Sequence, residues 1–214
     1  MKIQYPKNYI VWDLETSGLD PKVDKILEFA AVEYKNGEEV ARETFLIDHP
    51  GFEVPEKIKE ITGISTELCH AEGIDPGLAL RKMYTFLGRR LPNVTHNGLR
   101  FDLEFLLKAI GRGGAPIGQY NDGLTGSEYQ LYEANLYHGM IDTAVLFKAG
   151  KLGRLRRFNE TFREWGIRVM EERVFGLKYN VGVCCDDLGI EITTQHRALG
   201  DVLLTNEIYK KLVA

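Results

Sequence analysis

Two carboxylates, Asp13 and Glu15, lie two residues apart inside the stretch YIVWDLETSGLD, residues 9–20. Tyr9, Ile10, Val11 and Trp12 are β-branched or aromatic, and Ser17-Gly18 ends the run, so the stretch reads as a short buried strand entering a polar turn. Strand side chains alternate between faces, which puts both acids on the same side. Adjacent carboxylates repel and are costly to bury without compensation. A divalent cation relieves both problems, and hard oxygen ligands suit Mg²⁺ or Mn²⁺ better than Zn²⁺. The plainer alternative is an edge strand whose polar face meets water.

Other residues could join that chemistry. Asp102 falls in the first turn of a predicted helix, FDLEFLLKAIG, where the macrodipole favours an acid in any protein. Ala198, Asp201, Val202, Thr205, Ile208, Tyr209 and Leu212 follow helical spacing, which turns Asp201 inward. His196 is five residues before Asp201, about 500° around a helix, so the two can cooperate only if His196 lies on the loop leading into it. Glu28 shares a face with Ile26, Ala30 and Val32 and reads as a buried, hydrogen-bonded structural acid, with a further ligand as the alternative. Asp142, before TAVLFK, reads as a helix cap rather than a ligand.

The elements that would position these groups begin with a meander. Ile26–Tyr34 and Val40–Ile47 are strand-like, joined at Asn36-Gly37, a pair suited to a tight hairpin. Residues 50–69 read as a Pro/Gly-punctuated connector. A helix with Leu80, Met83, Tyr84 and Leu87 inward follows, then a short strand within 91–96 and the Asp102 helix. Residues 111–138, rich in glycine and tyrosine, read as a long irregular excursion. In the segment 148–178, Lys148, Lys151, Arg154, Arg156 and Arg157 face no acid at first, and they either meet phosphates or are solvated. Leu155, Phe158, Phe162, Trp165 and Val169 are spaced three, four, three and four, which predicts an apolar helical stripe facing the core. One more short helix is predicted within 180–190.

Composition sets outer limits. A length of 214 residues with 44% hydrophobic content predicts one domain over 1–214, and no linker divides it. The 27 basic and 31 acidic residues give a net charge of −4, which excludes little because local patches govern binding. The three cysteines form no disulfide framework, no apolar run is long enough for a membrane span, and the N-terminus has no signal-peptide core. A soluble cytoplasmic protein without membrane partners is the expectation.

Together, Asp13-Leu14-Glu15-Thr16, Asn97-Gly98-Leu99-Arg100-Phe101-Asp102 and His196-Arg197-Ala198-Leu199-Gly200-Asp201 resemble the three motifs of the DEDDh, DnaQ-like 3′-to-5′ exonucleases, as do the Gly18-Leu19 turn and Thr62-Gly63-Ile64. The resemblance runs from about Tyr9 to Leu212. It implies an α/β, ribonuclease H-like fold: a mixed central sheet with an N-terminal antiparallel meander and helices on both faces. It further implies two Mg²⁺ or Mn²⁺ ions, with Asp13 bridging, Glu15 and Asp201 on one ion and Asp102 on the other, and His196 as the general base. Thr16, Gly18, Leu19, Ile64, Asn97 and Phe101 would contact the terminal nucleotide, with core packing the alternative for Leu19, Ile64 and Phe101. The implied activity releases nucleoside 5′-monophosphates from a nucleic-acid 3′ end. DNA proofreading or trimming comes first, with RNA end-processing second, and a DNA polymerase or repair complex is a possible partner. A non-catalytic nucleic-acid or polymerase-binding module of the same fold is the third reading; such modules usually lose an acidic ligand, and all of them are present here.

Overall fold

The computed structural model describes residues 5–109, 136, 139–192 and 196–214. The glycine-rich excursion expected at 111–138 therefore lies almost wholly outside the described residues. The chain opens with the expected meander: β1 (Asn8–Thr16), β2 (Ile26–Lys35) and β3 (Glu38–Leu46), antiparallel throughout. Asn36 and Gly37 have φ of 53° and 87°, the positive values that a tight hairpin with the sheet's right-handed twist requires. Two short parallel strands, β4 (Asn93–Thr95) and β5 (Met140–Asp142), extend the other side, giving the order β3-β2-β1-β4-β5. Burial is continuous from Tyr9 to Trp12 and from Ile26 to Tyr34, so both faces of the central strands are covered.

The helices among the described residues are α1 (Glu56–Thr62), α2 (Thr66–Glu72), α3 (Pro76–Leu87), α4 (Asp102–Ala109), α5 (Thr143–Leu152), α6 (Phe162–Glu171), α7 (Val181–Leu188) and α8 (Ala198–Val213). None is long and apolar enough to cross a membrane. Trp12, Ile10, Phe29, Met83, Leu103 and Leu106 are almost fully enclosed in the main core. Long α8 packs across β1, β2 and β4. The Tyr9 hydroxyl donates to Asn206 Oδ1 at 2.8 Å, the Tyr209 hydroxyl donates to the Pro6 carbonyl at 2.9 Å, and the two rings meet edge-on at 4.6 Å. Each of these hydrogen bonds contributes about 1 kcal/mol net, and together they fix the height of α8 along β1.

Two expectations need correction. The connector at 50–69 folds into α1 and α2, the second capped by Ser65, whose side chain accepts from the Leu68 amide. The apolar stripe expected from Leu155 to Val169 is interrupted. Gly153, at φ 63°, ends α5 in the left-handed region, and Thr161 starts α6 afresh with a reciprocal cap to Glu164. Trp165 and Val169 are buried as the spacing predicts, but Leu155 and Phe158 fall on the intervening loop, 83% and 99% exposed.

Candidate active site

The end of β1 sets the frame. Asp13 pairs with Ala30 and Glu15 with Glu28 across the β1–β2 ladder, and the register shifts between Glu15 and Thr16. Both acids project from one face and keep part of their surface open to solvent. Asp201 reaches them from α8. The helix is anchored to β1 by Tyr209 against Tyr9. Asp201 is eight residues back along α8, about 12 Å, and Asp13 is four residues forward along β1, about 13 Å. The two carboxylates arrive side by side because those lengths match. One oxygen from each of Asp13, Glu15 and Asp201 lies within 4.8 Å of the others.

Asp102, in the first turn of α4, is 3% exposed and stands outside that group of three. It is nonetheless a close neighbour of Asp13. Burial drives the Asp13 pKa well above the usual carboxylate range, and the charges of Asp102, Asp201, Glu15 and Glu28 push it further the same way. Glu15 is raised to about 8, chiefly by burial and then by Asp201, Glu28 and Asp102, while Arg197 opposes the rise. Burial likewise raises Asp102 to about 7; its own backbone amide and that of Leu14 pull the other way. Asp201 is raised by burial against the lowering influence of the His196 backbone amide and imidazole. Such a cluster holds more negative charge than the protein itself compensates.

His196 sits at the threshold of α8. It lies on the two-residue bend before the helix with φ 63°, and is exposed. This is the loop position from which it can act beside Asp201, and its imidazole is near enough to lower the pKa of that acid. What holds the loop was not apparent in the sequence. Glu28, 4% exposed, accepts from Arg197 Nη2 at 2.7 Å and Nε at 3.0 Å, and from the Ala198 amide at 3.0 Å. Glu28 thus clamps the residue after His196 and caps the first turn of α8 across 169 residues of sequence.

A second turn is organised in the same way. Asp142 accepts from the Ala144 amide at 2.9 Å, capping α5 as expected, and also from the amides of Asn97 at 2.8 Å and Leu99 at 3.1 Å. That bond set holds Asn97 exposed at φ 62° just before Asp102. On the β1 side, the Thr16 hydroxyl donates to the Gly18 carbonyl at 2.7 Å, and Asp24 accepts from Ser17 Oγ and the Asp20 amide. A Cβ on Gly18 would stand 2.4 Å from the Asp24 carboxylate, so any larger residue pushes Asp24 off its bonds to Ser17 and Asp20. Leu19, 83% exposed, projects from this turn, and Phe101 is half-buried with its ring 5.0 Å from that of Phe105. Ile64 requires correction: it is wholly enclosed with Leu27, Leu46 and Cys69 and has no surface to offer a nucleotide.

The donor set of Asp13, Glu15, Asp201 and nearby Asp102 consists of carboxylate oxygens, and Arg197, the cation that acts on Glu15, is already committed to Glu28. Hard divalent ions fit such a set; a thiolate or imidazole metal does not.

Residues 10–114 match the exonuclease family RNase_T. The PolC-type DNA polymerase III of Thermotoga maritima is 45% identical over 206 residues, covering 96% of this chain and 12% of that protein. That of Mycoplasma genitalium is 38% identical over 100 residues, covering 46% of this chain and 6% of that protein. The chain thus spans a small fraction of the curated relatives it matches. Among solved structures, E. coli exonuclease I in complex with a dA16 oligonucleotide aligns with a TM-score of 0.69 and 19% identity over 97% of this chain and 41% of that one, a likeness of fold. Residues 10–114, which carry the Asp13–Glu15 strand and the Asp102 helix, thus match an exonuclease family, and the mixed five-stranded sheet shares the fold of exonuclease I.

Proposed function

We propose that this chain is a metal-dependent 3′-to-5′ exonuclease that removes nucleoside 5′-monophosphates from DNA ends, with residues 1–214 forming one exonuclease domain. The observation that carries this reading is the convergence of Asp13, Glu15 and Asp201 within 4.8 Å, beside Asp102, with their pKa values raised by crowding and burial. Asp13 would be shared by two Mg²⁺ or Mn²⁺ ions, with Glu15 and Asp201 on one and Asp102 on the other. When bound, such ions supply Lewis-acid stabilisation of the negative charge that builds on the phosphate and on the departing 3′ oxygen.

The protein's own groups do the rest. His196, exposed beside Asp201, takes the proton from the attacking water; it is not a ligand, so it stays free to exchange that proton with solvent. Glu28 and Arg197 hold the His196 bend against the sheet. Thr16 and Gly18 present a backbone turn braced by the Thr16 hydroxyl, a place for the terminal nucleotide. Leu19 supplies an exposed apolar wedge against the bases. Asn97, fixed by Asp142, and the half-buried Phe101 border the same slot. A slot closed at one end would accept a terminus and leave no exit for a continuing strand.

Two kinds of similarity support DNA as the substrate and a polymerase as the setting. The curated relatives are PolC-type DNA polymerase III chains, and solved complexes of exonuclease I contain single-stranded DNA. The test is incubation of 5′-labelled single-stranded DNA, duplex DNA and RNA with Mg²⁺ or Mn²⁺. A descending ladder on DNA is expected; an intact substrate with both metals would refute the assignment, and a ladder on RNA alone would move it to RNA ends.

A further inference from the structure

The loops flanking α6 form a surface whose chemistry the slot does not use. Phe158 and Phe175 are 99% and 106% exposed. Single exposed apolar residues are common, but two phenylalanines exposed whole on adjoining loops are not explained by folding. The loops are tied together: Arg154 donates to both Glu172 oxygens at 2.7 and 2.8 Å, and Lys148 Nζ donates to the Glu172 carbonyl at 2.7 Å. Beside the rings stand Arg157 and Arg173, whose side chains form no ion pair among the described residues. The charges that are paired are the other ones: Arg154 with Glu172, and Arg168 with Glu160.

The chain links this surface to the candidate site. The Tyr179 carbonyl lies 2.7 Å from Nε2 of His96, the residue before Asn97. Phe175 is four residues from Tyr179, at most about 14 Å of chain. Arg100, exposed and two residues before Asp102, is a second link. Lys148, whose pKa is depressed mainly by burial, is raised in part by Glu172 and depressed again by the Arg100 guanidinium, so Arg100 acts on the same ammonium that donates to the Met170 and Glu172 carbonyls. A cleft of about 460 Å³ opens there, bordered by Lys148, Arg173, Phe175 and Tyr179.

We propose that this surface binds the single strand upstream of the 3′ terminus, with bases stacking on Phe158 and Phe175 and phosphates meeting Arg100, Arg157 and Arg173. Exposed aromatic faces interleaved with unpaired cations suit a flexible polyanion, because every base offers a π-face and every linkage a charge. An apolar protein partner would leave those cations buried and unmatched. The proposal rests on the exonuclease reading for the direction of the strand.

The test compares oligothymidylates of about three and about ten nucleotides, the longer within the usual span of a single-strand groove. Binding is read by fluorescence anisotropy with Ca²⁺ in place of Mg²⁺. Phe158→Ala with Phe175→Ala should weaken the longer oligomer by about tenfold per ring and leave the shorter one unchanged. Arg157→Gln with Arg173→Gln should reduce the slope of log affinity against log salt by about 0.7 per residue for the longer oligomer alone. Wild-type affinity for the longer oligomer in both variants would overturn the proposal and leave a protein partner as the occupant. Equal weakening of both lengths would also overturn it. Hydrolysis of the short oligomer by wild-type protein tests the exonuclease reading separately. If that fails while the longer oligomer still depends on the rings, the surface stands and the exonuclease reading falls.

Discussion

Crowding four acids at one end of β1 should cost the metal-free protein stability as pH rises. Consider Glu15, whose pKa moves from 4.5 to about 8 in the fold. Below pH 4.5 the carboxyl is protonated in folded and unfolded chains alike and contributes nothing. From 4.5 to about 8 the unfolded chain has released a proton that the folded chain retains, so stability falls as pH climbs. Above about 8 both are ionised and the loss is complete. At about 1.4 kcal/mol for each pH unit crossed, the upper bound is about 5 kcal/mol, and about 3 once solvent at the partly open face is allowed for. In a chain of this size that corresponds to a fall in Tm of roughly 6–12 °C. The assay is thermal unfolding in EDTA at pH 5, 6, 7, 8 and 9, repeated with Mg²⁺. The melting temperature should drop between pH 5 and 8 in EDTA and recover with Mg²⁺, more at the higher pH. Asp13→Asn, which removes the most crowded charge, should raise the metal-free Tm at pH 8, abolish hydrolysis and shrink the Mg²⁺ effect. A Tm independent of both pH and Mg²⁺, with Asp13→Asn neutral, would show that the acids are not gathered, and the metal reading would go with it.

His196→Ala should lower the hydrolysis rate by about 10²–10⁴-fold, the range for loss of a positioned base, while the Mg²⁺-induced rise in Tm persists; loss of that rise would make the residue a ligand instead. Glu28→Gln breaks the two-pronged contact with Arg197 and weakens the cap on α8, and should cost about 1–3 kcal/mol in urea unfolding and lower kcat more than KM. An unchanged kcat would mean that the His196 bend holds its place without Glu28. Gly18→Ala drives a Cβ against Asp24 and should raise KM for a single-stranded oligomer with only about 1–2 kcal/mol lost in stability; an unchanged KM would remove the 16–18 turn from the slot.

The sequence disclosed each site acid as a type and left their meeting undisclosed. Period-two alternation was enough to put Asp13 and Glu15 on one face, and helical spacing was enough to turn Asp201 inward. Nothing local says that eight residues of α8 should match four of β1, because that stagger is set by the packing of Tyr9 on Tyr209. The left-handed bend at His196 was invisible for a different reason: a non-glycine residue adopts it only when surrounding structure imposes it, and the clamp that does so joins Arg197 to Glu28 across the whole chain. Ile64 failed as a slot residue because an isoleucine between Gly63 and Ser65 bears no mark of the side it faces. The Leu155–Phe158 stripe failed because the spacing was helical while Gly153 and the Thr161 cap were not read as punctuation between two helices.

The acids at this end of the sheet divide by what the protein offers each of them. Glu28 is matched by a guanidinium and an amide, and Asp142 by amides of two separate turns. Both spend their charge on placing backbone, one at His196 and one at Asn97. Asp102 is intermediate, with the Leu14 amide acting on an otherwise enclosed carboxylate. Asp13 and Glu15 are left with neighbouring negative charge and a guanidinium already engaged elsewhere. Burial alone would raise the pKa of any of these groups, so a raised value does not mark a ligand. The discriminating feature is charge that stays unmatched after the protein's own donors have been assigned. By that criterion Glu28 and Asp142 are scaffolding and Asp13 with Glu15 is the place that fits a cation from solution. The two scaffolding acids hold in place the histidine and asparagine that flank it.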